Sequence, residues 1–294
     1  MLSRDRAGNE INTFDGQHGS IKFLYTKPLG RIILRVLVRP WVSKAAGWFL
    51  DRRISVLLIK GFIKKNNIDM SQYEEKQYRS YNEFFCRKIK TGKRPVAEDP
   101  DVLIAPCDGK LSVHSISPDS EFSIKGTEYT FESLVRCSEL ARAYDGGTLM
   151  IFRLTVDDYH RYCYVSDGVK GENIRIPGVF HTVNPLAAEE RAIYKENTRE
   201  YTIIETESFG RILAMEVGAM MVGRIVNLHG TASVTRGDEK GRFEFGGSTV
   251  ILCFEKDKIT ADEDILLNSS EGFETVVRMG EKVGKSQKVR ANAC

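Results

Sequence analysis

An α+β fold is predicted, with basic amphipathic helices in the first hundred or so residues followed by a mostly antiparallel, β-rich domain. A change of hydrophobic period predicts it. Between Leu29 and Ile63 the apolar residues recur with a helical repeat among regularly spaced cations, whereas after Asp101 they fall in short runs separated by Gly, Asp, Asn or Pro. The chain's 294 residues and 41% hydrophobic content are enough for a real core and a second region beside it.

Taken in order, Asp15-Gly16 and His18-Gly19 mark turns, so a hairpin is expected ahead of Ile21-Lys22-Phe23-Leu24-Tyr25. From Leu29 the pattern turns helical. Arg31, Arg35 and Arg39 recur every fourth residue and share one side, while Ile32, Ile33, Val36 and Leu37 cover much of the rest, until Pro40 ends or kinks the helix. A second helical stretch runs from Trp41 to Leu50 and a third from Ile54 to Ile63. A connector follows, with a short helix over Tyr81 to Lys90 that Gly92, Pro95 and Pro100 break. The strands are then read at Val102–Ala105, Gly109–Val113, Phe122–Ile124, Thr148–Leu154, Tyr201–Ile204, Ile212–Val217 and Thr249–Phe254, with one helix over Phe131–Tyr144. Residues 1–100 thus form a largely helical region and connector, and 101–294 the β-rich domain.

The net charge of +3 is too small to support nucleic-acid binding, but its distribution is uneven. Between Lys27 and Lys65 cations are dense and Asp51 is the sole acid, with Trp41 and Trp48 interleaved. Such a segment suits an anionic lipid surface, where each Lys or Arg contributes about 1 kcal/mol and aromatic rings sit among headgroups. The same helices would equally pack on the rest of the protein with their charges solvated. No apolar run reaches the roughly 18 residues needed to span a bilayer, and the N-terminal residues lack a signal peptide's apolar core, so a peripheral position on the cytoplasmic face of the membrane is expected. The six cysteines are scattered without the short spacings of zinc or redox motifs, so reduced thiols and no metal are expected.

Four stretches carry residues capable of chemistry. Gly246-Gly247-Ser248-Thr249 sets a hydroxyl on flexible backbone just before an apolar strand, where Ser248 could attack its own peptide bond to Gly247. Pro106-Cys107-Asp108-Gly109 puts a carboxylate in a turn, Asp157-Asp158-Tyr159-His160-Arg161 gathers imidazole, guanidinium and carboxylates after a strong strand, and His181 lies between turn signals. Ser248, a histidine and Asp108 would together let imidazole take the hydroxyl proton while carboxylate stabilises the resulting charge. Taken singly, each stretch reads as structural before it reads as catalytic. A lipid-directed serine hydrolase using Ser248 and a non-catalytic membrane-bound scaffold both fit the same features.

The joint pattern resembles the phosphatidylserine decarboxylase family. Gly47-Trp48-Phe49-Leu50-Asp51-Arg52-Arg53, Tyr81-Asn82-Glu83-Phe84-Phe85 through Arg94-Pro95, Pro106-Cys107-Asp108-Gly109, Asp158-Tyr159-His160-Arg161, Val183-Asn184-Pro185, Val217-Gly218-Ala219, and Gly241-Arg242-Phe243 leading to Gly247-Ser248-Thr249 look like its blocks in its order. The resemblance implies a β-rich catalytic domain made as a proenzyme that cuts itself between Gly247 and Ser248, leaving a β chain of residues 1–247 and an α chain of 248–294. It implies that Ser248 becomes a covalent pyruvoyl cofactor, which forms a Schiff base with the amine of phosphatidylserine and accepts electrons as CO2 leaves, giving phosphatidylethanolamine. Asp108 is then the carboxylate of self-cleavage and Ser248 its nucleophile. A homodimer is compatible with this reading.

One position departs from the family's pattern. His-Arg-x-His commonly follows Asp-Tyr, the first histidine tied to decarboxylation and the second to self-cleavage. Here the first is His160 and the second position holds Cys163. His160 serving both steps is favoured, with His181 kept as a candidate substitute; a thiol of ordinary pKa about 8.5 is a poor base at neutral pH.

Overall fold

The strand β16 (Ser248–Phe254) lies in the middle of the molecule, buried along its whole length. In the computed structural model, which describes residues 3–11, 18–117, 121–124, 127–182, 193–219, 224–244 and 248–287, it is flanked by β12 (Gly210–Val217) and β7 (Thr148–Leu154). The run Val250-Ile-Leu-Cys-Phe254 is apolar without alternation because both faces of the strand are covered. Beyond β7 come β4 (Gly109–Ser115) and β18 (Glu274–Val277). Beyond β12 come β11 (Arg199–Thr206), β9 (Gly168–Lys170) and β14 (Ala232–Val234), and β10 (Ile174–Ile176) also pairs with β11.

Pairing among the described strands is antiparallel except where β1 (Ser3–Arg4), hairpinned to β2 (Glu10–Ile11), runs parallel to β18. Smaller sheets join β13 (Arg224–Asn227), β15 (Glu239–Glu244) and β8 (Arg161–Cys163), and β17 (Ile259–Ala261), β19 (Lys282–Ser286) and β3 (Val102–Ile104). A two-stranded ribbon pairs β5 (Glu121–Ile124) with β6 (Thr127–Thr130).

The helical reading of the first region holds over α2 (Pro28–Leu37) and α3 (Pro40–Leu50), each starting with the proline at its first turn. The third stretch is a 3₁₀ turn at Arg53–Val56 running into α4 (Leu57–Lys65). The expected run at Ile21–Tyr25 is instead part of α1 (His18–Thr26). Tyr25 is buried while Lys22 and Phe23 are exposed, so the segment buries one helical side rather than alternating. A hairpin does occur, but earlier, at β1 and β2; Asp15-Gly16 lies outside the described residues.

The connector helix is shorter than expected, α5 (Tyr81–Phe85), because the chain turns at Cys86 and drives Arg87 inward. Its start is capped by Ser80, whose hydroxyl accepts from the Glu83 N–H at 3.1 Å. Phe131–Tyr144 is two helices, α6 (Phe131–Val135) and α7 (Ser138–Arg142), broken where Arg136 adopts a left-handed φ of 54°. Two further helices, α8 (Ile193–Glu196) and α9 (Glu263–Ser270), are short or only weakly periodic and were not anticipated.

The helical region is tied to the sheet twice. Tyr25, Leu34 and Val38 enter the main core. Leu50, Ile59, Tyr81, Phe84 and Phe85 form a second core, and Phe85 at its inner end carries the contact to the site.

Candidate active site

The register of the central strands gathers the chemistry-bearing residues at one end of the sheet. Lys110 of β4 lies opposite Arg153 of β7, Arg153 opposite Thr249 of β16, and Thr249 opposite Val217 of β12. One step further along, Ser248 faces Leu154. Asp108, the Thr155–Asp158 turn and Gly218 therefore adjoin the same sheet end. With neighbouring strands about 4.8 Å apart, the backbone at Asp108 runs roughly 10 Å from the strand that Ser248 begins. Gly109 permits the close approach beside Asp108, since a Cβ there would stand 2.9 Å from the Arg153 carbonyl oxygen.

Ser248 is fully buried, and its Oγ has no hydrogen-bond partner among the described residues. A buried hydroxyl without a partner forfeits about 1–3 kcal/mol, which a purely structural turn would avoid. Gly247 lies outside the described residues, so only one side of the expected cleavage bond has a position.

His160 sits where the Thr155–Asp158 turn runs into β8. Its Nδ1 is 2.9 Å from the Asp158 carbonyl oxygen, which can only accept, so Nδ1 carries the hydrogen and Nε2 the lone pair. Nε2 is buried with no hydrogen-bond partner. Phe85 packs on the ring at 4.2 Å between centroids. Burial lowers the imidazole to about 4, against the opposing pull of Asp158 and with help from the Arg87 and Lys110 charges. The result is a neutral imidazole with its basic nitrogen free. The His160 carbonyl accepts from Phe243 N–H at 2.9 Å, tying the residue to β15, the strand that leads into the Gly247-Ser248 motif.

Lys110 and Asp158 brace the turn. The ammonium lies 2.7 Å from the Asp158 carboxylate and 2.6 Å from the Thr155 hydroxyl. Burial would raise Asp158, but Lys110 and the Thr155 N–H and hydroxyl hold it below the usual carboxylate range. Asp108 is likewise fixed, receiving Arg94 Nε at 2.8 Å and Nη2 at 2.5 Å and the Met279 N–H at 2.9 Å. Asp108, His160 and Ser248 thus share one end of the sheet without hydrogen bonds linking them into a relay, since Ser248 Oγ and His160 Nε2 have no partners.

His181 reaches the neighbourhood by a different route. Its N–H and carbonyl are held by the Asn197 side chain, whose Nδ2 also donates to Gly218 O at 2.8 Å, beside the end of β12. Its ring is engaged, with Nδ1 3.0 Å from the Tyr25 hydroxyl and Nε2 3.2 Å from Glu196. Cys163 on β8 is buried, and burial pushes its thiol up to about 12, leaving about one thiolate in 10⁵ at neutral pH.

Sequence reasoning missed Arg94, Lys110, Phe85 and the Asp158 carbonyl as supports of the site. Arg94, Phe85 and Asp158 stand in the motif blocks noted above, which was the available signal; Lys110 follows Asp108-Gly109 with nothing to mark it. Among the described residues no cluster of His, Cys, Asp or Glu suited to a metal ion occurs, and no helix is long and apolar enough to cross a membrane.

Comparison with known proteins agrees with the motif blocks. The family model described as phosphatidylserine decarboxylase matches residues 81–285. The chain is 44% identical over 271 residues to phosphatidylserine decarboxylase proenzyme 2 of Clostridium acetobutylicum, covering 92% of this chain and 93% of that protein. It is 40% identical over 270 residues to a phosphatidylserine decarboxylase proenzyme of Clostridium botulinum, covering 90% and 92%, and 40% identical over 275 residues to one of Fusobacterium nucleatum, covering 92% of each.

Proposed function

The chain belongs to the phosphatidylserine decarboxylase family, and on that premise we propose that it converts phosphatidylserine to phosphatidylethanolamine and CO2 after cutting itself between Gly247 and Ser248. The observation that carries the proposal is the pair of buried, unpartnered atoms on the residues the chemistry needs, Ser248 Oγ and the lone-pair nitrogen Nε2 of a neutral His160.

In self-cleavage His160 Nε2 takes the Ser248 hydroxyl proton as Oγ attacks the Gly247 carbonyl, and the acyl group moves from N to O. The Asp108 carboxylate, held in place by Arg94 and Met279, supplies negative charge at the same sheet end to favour the imidazolium that results. Loss of the Ser248 α-proton then expels the Gly247 carboxylate, ending the chain of residues 1–247. Residue 248 is left as dehydroalanine, which water converts to a pyruvoyl group and ammonia. The pyruvoyl carbonyl supplies the electron acceptor that amino-acid decarboxylation requires. A buried serine at the head of a strand that is buried along its length suits a group that must be made once and held in one place. In the decarboxylation step His160 Nε2, unprotonated at rest, is proposed to take the proton that the substrate's ammonium gives up on binding and to return it to the α-carbon once CO2 has left.

Residues 1–100 are assigned to bringing this site to the membrane and 101–294 to catalysis. Support comes from the outward apolar residues of the basic amphipathic helices, with Leu29, Trp41, Trp48 and Ile54 more than half exposed and Leu57 80% exposed amid Lys and Arg. That surface favours the cytoplasmic leaflet, where anionic lipid is found.

Intact mass under denaturing conditions tests the proposal. Protein active in CO2 release from phosphatidylserine is expected to run as chains of 1–247 and 248–294, the smaller lacking a free N-terminal amine; an active single uncut chain would overturn it.

A further inference from the structure

Arg87 is 2% exposed, yet it has no carboxylate within 4 Å among the described residues. Its Nη2 donates to the Tyr73 hydroxyl at 3.2 Å, while Nε and Nη1 are buried without a hydrogen-bond partner among the described residues. The guanidinium carbon lies 4.2 Å from the Tyr73 ring centroid and 4.9 Å from that of Phe84. A buried cation with two idle donors is costly, and nothing in the helical packing requires one.

The surroundings give those donors a purpose. Arg87 lines a cleft of about 560 Å³ between α5 and the end of β15. Its half-buried neighbours there are already paired, Arg161 with Glu239 at 2.6 Å and Arg242 with Glu244 at 3.1 Å, and Lys88 is exposed. Arg87 also follows Phe85, which packs on His160, and its charge is felt at that imidazole. The cleft, which Glu74, Glu83 and Asp51 also line, therefore has one guanidinium without a carboxylate partner among the described residues, two residues from the Phe85 ring that packs on His160.

Resting on the decarboxylase reading, we propose that Arg87 binds the phosphodiester of the lipid headgroup. The alternative anion, the substrate carboxylate, loses its charge as CO2 departs, so a guanidinium on it would stabilise the ground state more than the transition state and slow the reaction. The phosphodiester keeps its charge throughout, so gripping it costs no rate. Only a few covalent bonds separate the phosphorus from the reacting amine, which suits a receptor for one next to the base that serves the other. The end-on edge of Arg87, Nη1 with the hydrogen of Nη2 not given to Tyr73, matches two phosphate oxygens in a fork that Lys does not offer.

The test compares wild type, Arg87→Gln and Arg87→Lys, using two amines trapped onto the protein by borohydride. One is short-chain phosphatidylserine. The other is O-octyl-L-serine, which keeps amine, carboxylate and an apolar tail but has no phosphate. For phosphatidylserine, half-saturation is expected to rise about 10- to 100-fold in Arg87→Gln, in line with the loss of charge-assisted bonds, and by less in Arg87→Lys. For O-octyl-L-serine it is expected to stay within about twofold of wild type. Equal shifts for both amines, or none for phosphatidylserine, would overturn the assignment. Should Arg87→Gln fail to self-cleave, Arg87→Lys carries the same comparison. Wild type trapping neither amine would instead sink the decarboxylase reading beneath it.

Discussion

Keeping His160 neutral has a thermodynamic consequence that acid unfolding reads directly. The imidazole is lowered to about 4 in the folded chain, by burial first, and returns to about 6.5 when unfolded. Between those values the unfolded state binds the proton and the folded state does not, so stability falls as pH falls through that window and levels off below pH 4. Integrating the two titrations, the loss relative to pH 7 is about 2 kcal/mol at pH 5 and about 3 kcal/mol at pH 4. The groups facing the ring are the Asp158 carbonyl and carboxylate, Lys110, Arg87 and the Phe85 ring, and carboxylates elsewhere titrate in the same range. Urea unfolding of Ser248→Ala, which stays one chain, is therefore compared with Ser248→Ala/His160→Gln from pH 7 to 4. The two curves are expected to converge by about 3 kcal/mol toward acid, because the glutamine carries no proton. Parallel curves, within about 0.5 kcal/mol, would refute the claim that burial holds this imidazole neutral.

Replacing Arg94 by Leu strands the Asp108 carboxylate with the Met279 N–H as its remaining partner in the site. That is expected to cost about 3–5 kcal/mol in thermal or urea unfolding and to slow self-cleavage. Adding Asp108→Asn should restore much of the stability but not the cleavage. His181→Ala is expected to yield two chains on a denaturing gel within about threefold of the wild-type time, because the His181 ring is committed to Tyr25 and Glu196; folded but uncut protein would make it the base. His160→Ala is expected to abolish CO2 release. Arg6 pairs with Asp262, Asp264 and Glu281, and β1 with β18, all of them beyond residue 248, so Arg6→Ala should release the small chain of the matured protein at lower urea in size-exclusion runs. Trp41→Ala/Trp48→Ala is expected to weaken flotation with phosphatidylserine vesicles at least tenfold, and added salt to weaken it in both proteins.

Much of this protein is written in local pattern. The helices at Pro28–Leu37 and Pro40–Leu50 follow from their apolar spacing and leading prolines, and the strands at Thr148–Leu154, Ile212–Val217 and Ser248–Phe254 from dense apolar runs, because periodicity and backbone restriction act within a few residues. Asp108, His160 and Ser248 could be singled out as candidates because the motif blocks around them, in their order along the chain, resemble those of the family. What sequence alone left open is set by contacts between residues far apart. The run at Ile21–Tyr25 is helical because Tyr25 docks beside His181, and α5 stops at Phe85 because Arg87 must turn under Tyr73. The protonation state of His160 was equally beyond reach, because it depends on desolvation by Phe85 and on which nitrogen meets the Asp158 carbonyl. Burial and the pairing of buried charge are properties of the assembled core. Sequence could therefore say which groups this protein has to work with, and only the tertiary structure decided which nitrogen is free, which thiol is buried and which arginine has no carboxylate beside it.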